Sequence, residues 1–157
     1  GSLLLDDGDS LQGNLLGDWL AAEGRGRPHP MIAAMNALGY DAATLGNHEF
    51  NHGLDYLRRA LGEARFPVVS ANLLGRDGPL VPPWALLRRQ VVGSAGPLPL
   101  AVGVVGFGPP QVAAWEGHRL GGAVVARDIL EAAAEEVPRL RAAGADRGDV
   151  DIREEFD

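Results

Sequence analysis

The sequence predicts an α/β domain in which strands and helices alternate. Three short apolar runs, at residues 3–5, 42–45 and 67–71, have the length and composition of strands. Apolar residues recur at helical spacing within residues 31–38 and 54–61, which lie between these runs. The order strand–helix–strand–helix–strand is typical of a layered α/β domain.

The segments around these elements are predicted in turn. Residues 10–30 are rich in glycine and polar residues, which predicts a loop with one short helix near residues 15–22. The helix over residues 31–38 should end at Gly39, a residue type favoured just after a helix.

The second half of the chain has a different pattern. Residues 86–92 and 98–107 are rich in β-forming residues and flank a glycine-containing turn, which predicts a hairpin. Residues 129–143 show helical spacing, and Pro138 within them should kink or break the helix.

Length and composition exclude several classes of protein. The 157 residues suit one domain, and the net charge of -7 argues against a protein that binds polymeric nucleic acid. There is no cysteine, so disulfides and thiolate metal sites are excluded. No apolar run is long enough for a membrane span, and no signal peptide is evident.

Two strand ends carry the residues suited to chemistry. Asp7 and Asp9 follow the first strand, and Asn47 and His48 follow the second. Neighbouring parallel strands would bring both ends to one sheet edge. There Asp9 could bridge two divalent metals, Asn47 could provide an amide oxygen to one of them, and His48 could act at a bound phosphate. The alternative is that each is an ordinary turn with local side-chain hydrogen bonds.

These motifs resemble those of the calcineurin-like metallophosphoesterases, in which Gly-Asn-His-Glu follows an earlier Gly-Asp. The similarity is strongest to the branch of bacterial 2′,3′-cyclic-nucleotide 2′-phosphodiesterases/3′-nucleotidases. The matching stretches are Leu5-Asp6-Asp7-Gly8-Asp9-Ser10-Leu11-Gln12-Gly13-Asn14, Gly46-Asn47-His48-Glu49-Phe50-Asn51-His52-Gly53, Ser70-Ala71-Asn72 and Val105-Gly106-Phe107-Gly108-Pro109-Pro110-Gln111.

The resemblance implies a fold, a site and a reaction. The fold would be part of a four-layer α-β-β-α sandwich with mixed sheets. Asp9 would be the metal-bridging aspartate, Asn47 a ligand of the second metal and His48 the catalytic histidine. The complete site would hold two divalent metal ions, with manganese, zinc, magnesium, cobalt and iron all possible. The substrate would be a 2′,3′-cyclic nucleotide, a 3′-nucleotide or another phosphoester.

Two further residues are expected to support the site. Asn51 stands where related 5′-nucleotidases have an aspartate that pairs with the histidine. A neutral amide can orient the imidazole of His48 but cannot raise its basicity as a carboxylate would, which favours the cyclic-nucleotide branch. Asp7 is expected to form hydrogen bonds around the ligands or in the turn, and Glu49 to organise its loop.

The family pattern also extends beyond these residues. The resemblance implies an earlier strand ending in Asp-x-His, later histidine ligands and a C-terminal nucleotide-binding domain, none of which is in this sequence. We therefore expect an incomplete metallophosphoesterase domain at residues 1–145 and a mobile acidic tail at 146–157. Such a fragment should bind metal weakly and turn over little substrate alone.

Other functions stay open on the sequence alone. One is a 5′-nucleotidase-type phosphatase, and another is a non-catalytic, degenerate module with the same fold. The family resemblance implies a location in the periplasm or at the cell surface, with which the lack of cysteine is compatible.

Overall fold

The computed structural model describes residues 2–24, 26–94 and 96–152, with side chains up to residue 146. Nine strands lie in this part of the chain: β1 (Leu5–Asp6), β2 (Ala42–Thr44), β3 (Val68–Val69), β4 (Leu73–Gly75), β5 (Gly78–Pro79), β6 (Trp84–Gly93), β7 (Gly96–Phe107), β8 (Val124–Ala126) and β9 (Arg147–Ile152). The α-helices described are α1 (Leu15–Glu23), α2 (Pro30–Leu38), α3 (Leu54–Leu61), α4 (Val112–Trp115), α5 (Gly117–Leu120) and α6 (Ile129–Ala142).

The first sheet has the parallel order β1-β2-β3. Asp6 pairs with Ala43 between β1 and β2, and Thr44 pairs with Val69 between β2 and β3. Helices α1 and α2 connect the first two strands, and α3 connects the second to the third. The predicted alternation of strands and helices is therefore confirmed, and α2 ends as expected at Gly39, which has a left-handed backbone.

The second sheet has the order β6-β7-β9. Strands β6 and β7 form the predicted hairpin and pair antiparallel from Trp84 opposite Val105 to the turn. Helix α6 confirms the predicted last helix. It continues through Pro138 without ending there, so the expected break is absent from α6.

Strand β9 replaces most of the mobile tail predicted from residue 146. It pairs parallel to β7, with residue 147 opposite Val102. Just before it, Asp146 is anchored, because its backbone N–H donates to the Ala101 carbonyl at 2.8 Å and its Oδ2 accepts from the Ala101 N–H at 3.0 Å. The acidic sequence shows no strand pattern. An edge strand can form without one, because it pairs with its neighbour through backbone groups. Residues 153–157 lie outside the described residues.

Alternating side chains build the layers of the fold. Ala43 and Leu45 belong to a core with Ile32 of α2 and Leu57 of α3. The neighbouring Ala42 faces the other way.

Ala42 packs in a second core with Val69, Val102 and Val104, which lies between the two sheets. On the far side of the second sheet, Val105 and Phe107 join Ala132 and Leu140 of α6 in a third core. The order helix, sheet, sheet, helix is that of the expected four-layer sandwich.

A third, small sheet has the antiparallel order β5-β4-β8. Its strands are two or three residues long, too short for a periodic sequence pattern, and sequence reasoning missed them. Among the residues that the structure describes, no helix is both long and apolar enough to cross a membrane.

Candidate active site

The site forms where the loops after β1 and β2 leave the same edge of the first sheet. Parallel pairing of Asp6 with Ala43 directs both loops the same way. The loops touch directly, because the backbone N–H of His48 donates to Oδ1 of Asp9 at 2.9 Å. The expected proximity of Asp9 and the Asn47-His48 segment is therefore present.

Glu49 ties these loops together. Its Oε2 accepts from the backbone N–H groups of Asp9 and Gly46, both at 2.7 Å. Its Oε1 accepts from Ser10 at 2.7 Å and from Leu11 at 3.2 Å. Four donors and a side chain only 3% exposed make Glu49 the clamp of both loops, in agreement with the expectation that it organises its loop.

The charge state of Glu49 reflects two opposed effects. Burial raises the pKa of its carboxyl group, and the backbone hydrogen bonds from Asp9, Ser10 and Gly46 oppose that rise. The four backbone N–H groups are all donors, and the two oxygens of a carboxylate can accept all four hydrogen bonds.

Two glycines let the loops approach this closely. A Cβ on Gly8 would collide with the backbone nitrogen of Gly46, and a Cβ on Gly46 would collide with the Asp9 carboxylate. Gly8 has φ +99° and Asp9 has φ +60°, in the left-handed region where aspartate is one of the better-tolerated residues. Contacts from both loops therefore fix the position of the Asp9 carboxylate.

Asn47 has the features of an oxygen ligand. Its Oδ1 is buried and has no hydrogen-bond partner in the described part of the chain. A buried acceptor without a partner is uncommon in folded proteins, and a bound cation would satisfy it. Amide and carboxylate oxygens both suit hard divalent metals, so Asn47 and Asp9 fit such an ion.

Asp9 and Asn47 alone would not complete a metal site. The described residues contain no group of three or more His, Cys, Asp or Glu side chains that could hold a metal ion. Glu49 cannot easily add a ligand, because both of its oxygens are occupied by backbone donors. Two divalent ions in the complete site stay a prediction.

The imidazole of His48 is held by Gln12, which sequence reasoning did not assign to the site. Nδ1 of His48 is hydrogen-bonded to Oε1 of Gln12. Because an amide oxygen only accepts, Nδ1 carries the hydrogen, and Nε2 is the nitrogen left for proton transfer. Gln12 lies three residues after Asp9 within the matched motif, a position that could have pointed to it.

Asn51 does not take the place that the sequence predicted for it. Its Nδ2 donates to Oε1 of the buried Glu116 at 2.8 Å, and Glu116 also pairs with Arg119 at 2.9 Å. The orienting partner of His48 is Gln12 instead. Asn51 is the residue that ends the 3-10 turn His48–Phe50, so its side chain reaches α4 and α5 rather than the imidazole.

Asp7 is exposed, and its supporting role stays a prediction. In the same loop, Oδ2 of Asp6 accepts a hydrogen bond from the N–H of Gly8 at 3.1 Å.

The remaining histidines lie elsewhere. His29 precedes α2, and His52 and His29 both pack edge-on against Tyr56, with ring centroids 5.0 and 5.8 Å away. His118 is exposed in α5.

The other matched motifs meet beside β7. The Nδ2 of Asn72 donates to the Gly108 carbonyl at 2.8 Å, and its Oδ1 accepts from the Gly108 N–H at 2.9 Å. A Cβ on Gly108 would collide with Leu73, which explains the glycine. This fully buried clasp joins the Ser70-Ala71-Asn72 and Gly106-Phe107-Gly108 segments and supports the scaffold.

Comparison with known proteins places this geometry in a family. No protein-family model matches the chain. Over 150 residues, 92% of its length, the chain is 45% identical to the 2′,3′-cyclic-nucleotide 2′-phosphodiesterase/3′-nucleotidase of Salmonella typhimurium. Its structure matches the crystal structure of calcineurin-like phosphoesterase YfkN from Bacillus subtilis with a TM-score of 0.92 and 38% identity, over 99% of this chain. The chain belongs to the calcineurin-like phosphoesterase family.

This calcineurin-like phosphoesterase chain covers only part of its relatives. It spans 23% of the Salmonella protein and 49% of the YfkN chain. A shorter match, 39% identity over 108 residues, relates 67% of the chain to 17% of the 5′-nucleotidase of Rattus norvegicus. The family and the α/β fold expected from the sequence are confirmed.

Proposed function

We propose that this chain is part of a metal-dependent phosphoesterase that hydrolyses 2′,3′-cyclic nucleotides and 3′-nucleotides. The observation that carries the proposal is the corner in which His48 contacts Asp9 through its backbone and Gln12 through its ring. The 45% identity to an enzyme named for these substrates supports the same choice.

Each residue of the corner has a role in the proposal. Asp9 and Asn47 would hold divalent metal ions through oxygen atoms. When bound, such ions supply positive charge and Lewis acidity at the phosphate. In its protonated form, His48 gives the proton on Nε2 to the leaving ribose oxygen, while its Nδ1–H stays hydrogen-bonded to Gln12. For a cyclic nucleotide, a bond forms between a water oxygen and phosphorus, and the bond from phosphorus to the 2′ oxygen breaks. The 2′ oxygen takes the proton of His48, and the proton lost by the attacking water passes to solvent, from which His48 is protonated again.

The proposal assigns the remaining ligands to the longer protein. One carboxylate and one amide are too few ligands for tight binding of a metal ion. Because the chain spans 23% of the Salmonella relative, we place the other ligands and the nucleotide-binding domain in the rest of such a protein. The 157-residue chain alone is then expected to bind metal weakly and show little turnover. A location in the periplasm or at the cell surface belongs to the same proposal.

The test is a substrate panel on the longest reading frame that contains this segment. Initial rates are compared for 2′,3′-cyclic AMP, 3′-AMP and 5′-AMP with added manganese. We expect the first two to be hydrolysed faster than 5′-AMP, and His48→Gln to lower kcat by roughly 10²–10⁴-fold. His118→Gln, which changes an exposed histidine, is the matched control and should leave the rates unchanged.

Three outcomes of the same measurements would contradict the proposal. Preference for 5′-AMP would assign the chain to the 5′-nucleotidase type, to which its similarity covers a shorter stretch. No hydrolysis of any of the three substrates, with metal bound, would indicate a non-catalytic module. Full turnover of a cyclic nucleotide by the 157-residue chain alone would refute the assignment of ligands to the longer protein.

A further inference from the structure

Gln12 lies between two fixed points of the chain. On one side, Leu11 is buried and its backbone N–H donates to Glu49 at 3.2 Å. On the other, the side chain of Asn14 caps α1 by accepting from the N–H of Gly17 at 2.9 Å. A side chain carried between a clamp and a helix cap has a restricted backbone, which suits it to position another group.

The amide of Gln12 also has a defined orientation. Its Nε2 donates to Oδ1 of Asp18 in a long hydrogen bond of 3.5 Å, and Asp18 lies in the first turn of α1. A carboxylate can only accept, so the nitrogen of the amide must face Asp18, and the oxygen then faces His48. Asp18, Gln12 and His48 therefore form a chain of carboxylate, amide and imidazole.

We propose that Gln12 is the positioning residue for His48, and that Asp18 orients Gln12. By accepting from Nδ1, Gln12 selects the tautomer in which Nε2 has no hydrogen in the neutral ring. It also fixes the plane of the imidazole over the Asp9 corner. The consequence for turnover rests on the proposed function, whereas the selection of the tautomer does not.

The first test measures the tautomer in the 157-residue chain. Long-range ¹H–¹⁵N NMR spectra are recorded at the same pH for wild type and all variants. We expect the wild-type His48 ring to carry its hydrogen on Nδ1. Gln12→Met, which keeps the length of the side chain and removes the acceptor, should move the hydrogen largely to Nε2.

Matched variants separate this effect from a change of fold. Gln90→Met alters an exposed glutamine of β6 and should leave the His48 tautomer as it is. Gln12→Glu restores an acceptor oxygen and should restore the hydrogen on Nδ1. Gln12→Asn, which is one methylene shorter, provides a second test if the methionine variant does not fold. Wild-type protein with the hydrogen on Nε2, or a tautomer unchanged in the folded Gln12 variants, would overturn the inference.

The second test uses the longer reading frame and 2′,3′-cyclic AMP. We expect Gln12→Met to lower kcat by roughly 10–100-fold with KM changed by less than about threefold, because a misoriented imidazole affects chemistry more than binding. Gln12→Glu should recover part of the rate. An unaltered kcat in Gln12→Met, with His48→Gln strongly impaired, would refute the role of Gln12. An unaltered kcat in His48→Gln would refute the proposed function. The NMR experiment would still show whether Gln12 determines which ring nitrogen of His48 carries the hydrogen.

Discussion

In the Glu49 corner, formed by Glu49 and the loops that it clamps, one buried carboxylate accepts hydrogen bonds from four backbone N–H groups. The Tyr56 cluster, formed by Tyr56, His29 and His52, differs from the corner in the hydrogen bonding of its buried polar atoms. The hydroxyl of Tyr56, both ring nitrogens of His29 and Nε2 of His52 are buried without a hydrogen-bond partner in the described residues.

The difference shows how this fold handles charge. In the corner, oriented backbone donors replace water around the buried carboxyl group of Glu49 and oppose the effect of burial on its pKa. In the Tyr56 cluster, burial lowers the pKa of His29 and of His52 and raises that of Tyr56, so burial disfavours the charged form of each group, and the nearby Asp18 opposes this at His52. The rings of the cluster pack edge-on as ordinary aromatic contacts. Of these two regions, the corner is the one in which a buried carboxyl group is surrounded by hydrogen-bond donors, an environment that suits the metal and phosphate site proposed above.

Removal of the clamp should have the largest effect. Glu49→Ala leaves four backbone N–H groups without their acceptor, and we expect a loss of about 3–5 kcal/mol in the free energy of unfolding, measured by urea denaturation. Glu23→Ala, at an exposed glutamate of α1, is the control and should change stability by less than about 0.5 kcal/mol. Equal stability of the two variants would mean that Glu49 does not hold the loops.

A side chain at the loop contact should have the next largest effect. Gly8→Ala and Gly13→Ala both place alanine at positive φ, at +99° and +117°, which costs roughly 1–2 kcal/mol. Only Gly8→Ala also drives a Cβ against Gly46, because Gly13 faces open space. We expect Gly8→Ala to lose roughly 1–3 kcal/mol more than Gly13→Ala in the same urea experiment. The same loss in both would contradict the close approach of the loops.

A smaller effect should appear as a dependence of stability on pH in the Tyr56 cluster. The pKa of His29 is lowered from 6.5 by burial and by His52, and the nearby Glu63 and the backbone at Leu11 oppose this. Below 6.5 the unfolded chain therefore binds a proton that the folded chain does not, so stability falls as the pH falls through the window below 6.5. His29→Phe should reduce this fall by at most about 1.4 kcal/mol per pH unit.

Urea titrations from about pH 7.5 to about pH 5.5 measure the slope for wild type and His29→Phe. His118→Phe changes an exposed histidine and should keep the wild-type slope. A steeper fall in His29→Phe than in wild type would show the opposite sign of linkage.

The smallest change in stability is expected from removal of the Tyr56 hydroxyl, because no hydrogen bond to the described part of the chain would be lost with it. Tyr56→Phe removes a hydroxyl without a hydrogen bond in the described residues, from a side chain 7% exposed. We expect stability to stay within about 0.5 kcal/mol or to rise slightly, in contrast to the loss in Glu49→Ala. Thermal and urea unfolding measure it, and a loss above about 1 kcal/mol would mean that the hydroxyl is satisfied in solution.

The sequence predicted the corner because the meeting of Asp9 and His48, although 39 positions apart, follows from a general rule of strand pairing. Strands β1 and β2 are short apolar runs that end in glycine and polar residues, and parallel pairing brings such ends together. The meeting of Asp9 and His48 follows from that rule. The hairpin and α6 were likewise visible because each carries a long run with a clear pattern.

The parts that escaped prediction depend on distant contacts. Gln12 and His48 are 36 positions apart, and which amide reaches Nδ1 is decided by how two loops pack. Asn51 is near His48 in sequence, but its side chain donates a hydrogen bond to Glu116, which is 65 positions away. Strand β9 pairs through its backbone, so its polar sequence gave no signal.

The proposed function requires the Glu49 corner to hold oxygen ligands for a divalent metal beside His48. The direct measurement is a manganese titration of the ¹⁵N-labelled 157-residue chain, followed by paramagnetic broadening of its NMR signals. We expect the signals of Asp9, Asn47 and His48 to broaden first, and this selectivity to be lost in Asn47→Ala. Broadening that begins at the Tyr56 cluster, or that is unchanged in Asn47→Ala, would contradict a metal site in the Glu49 corner.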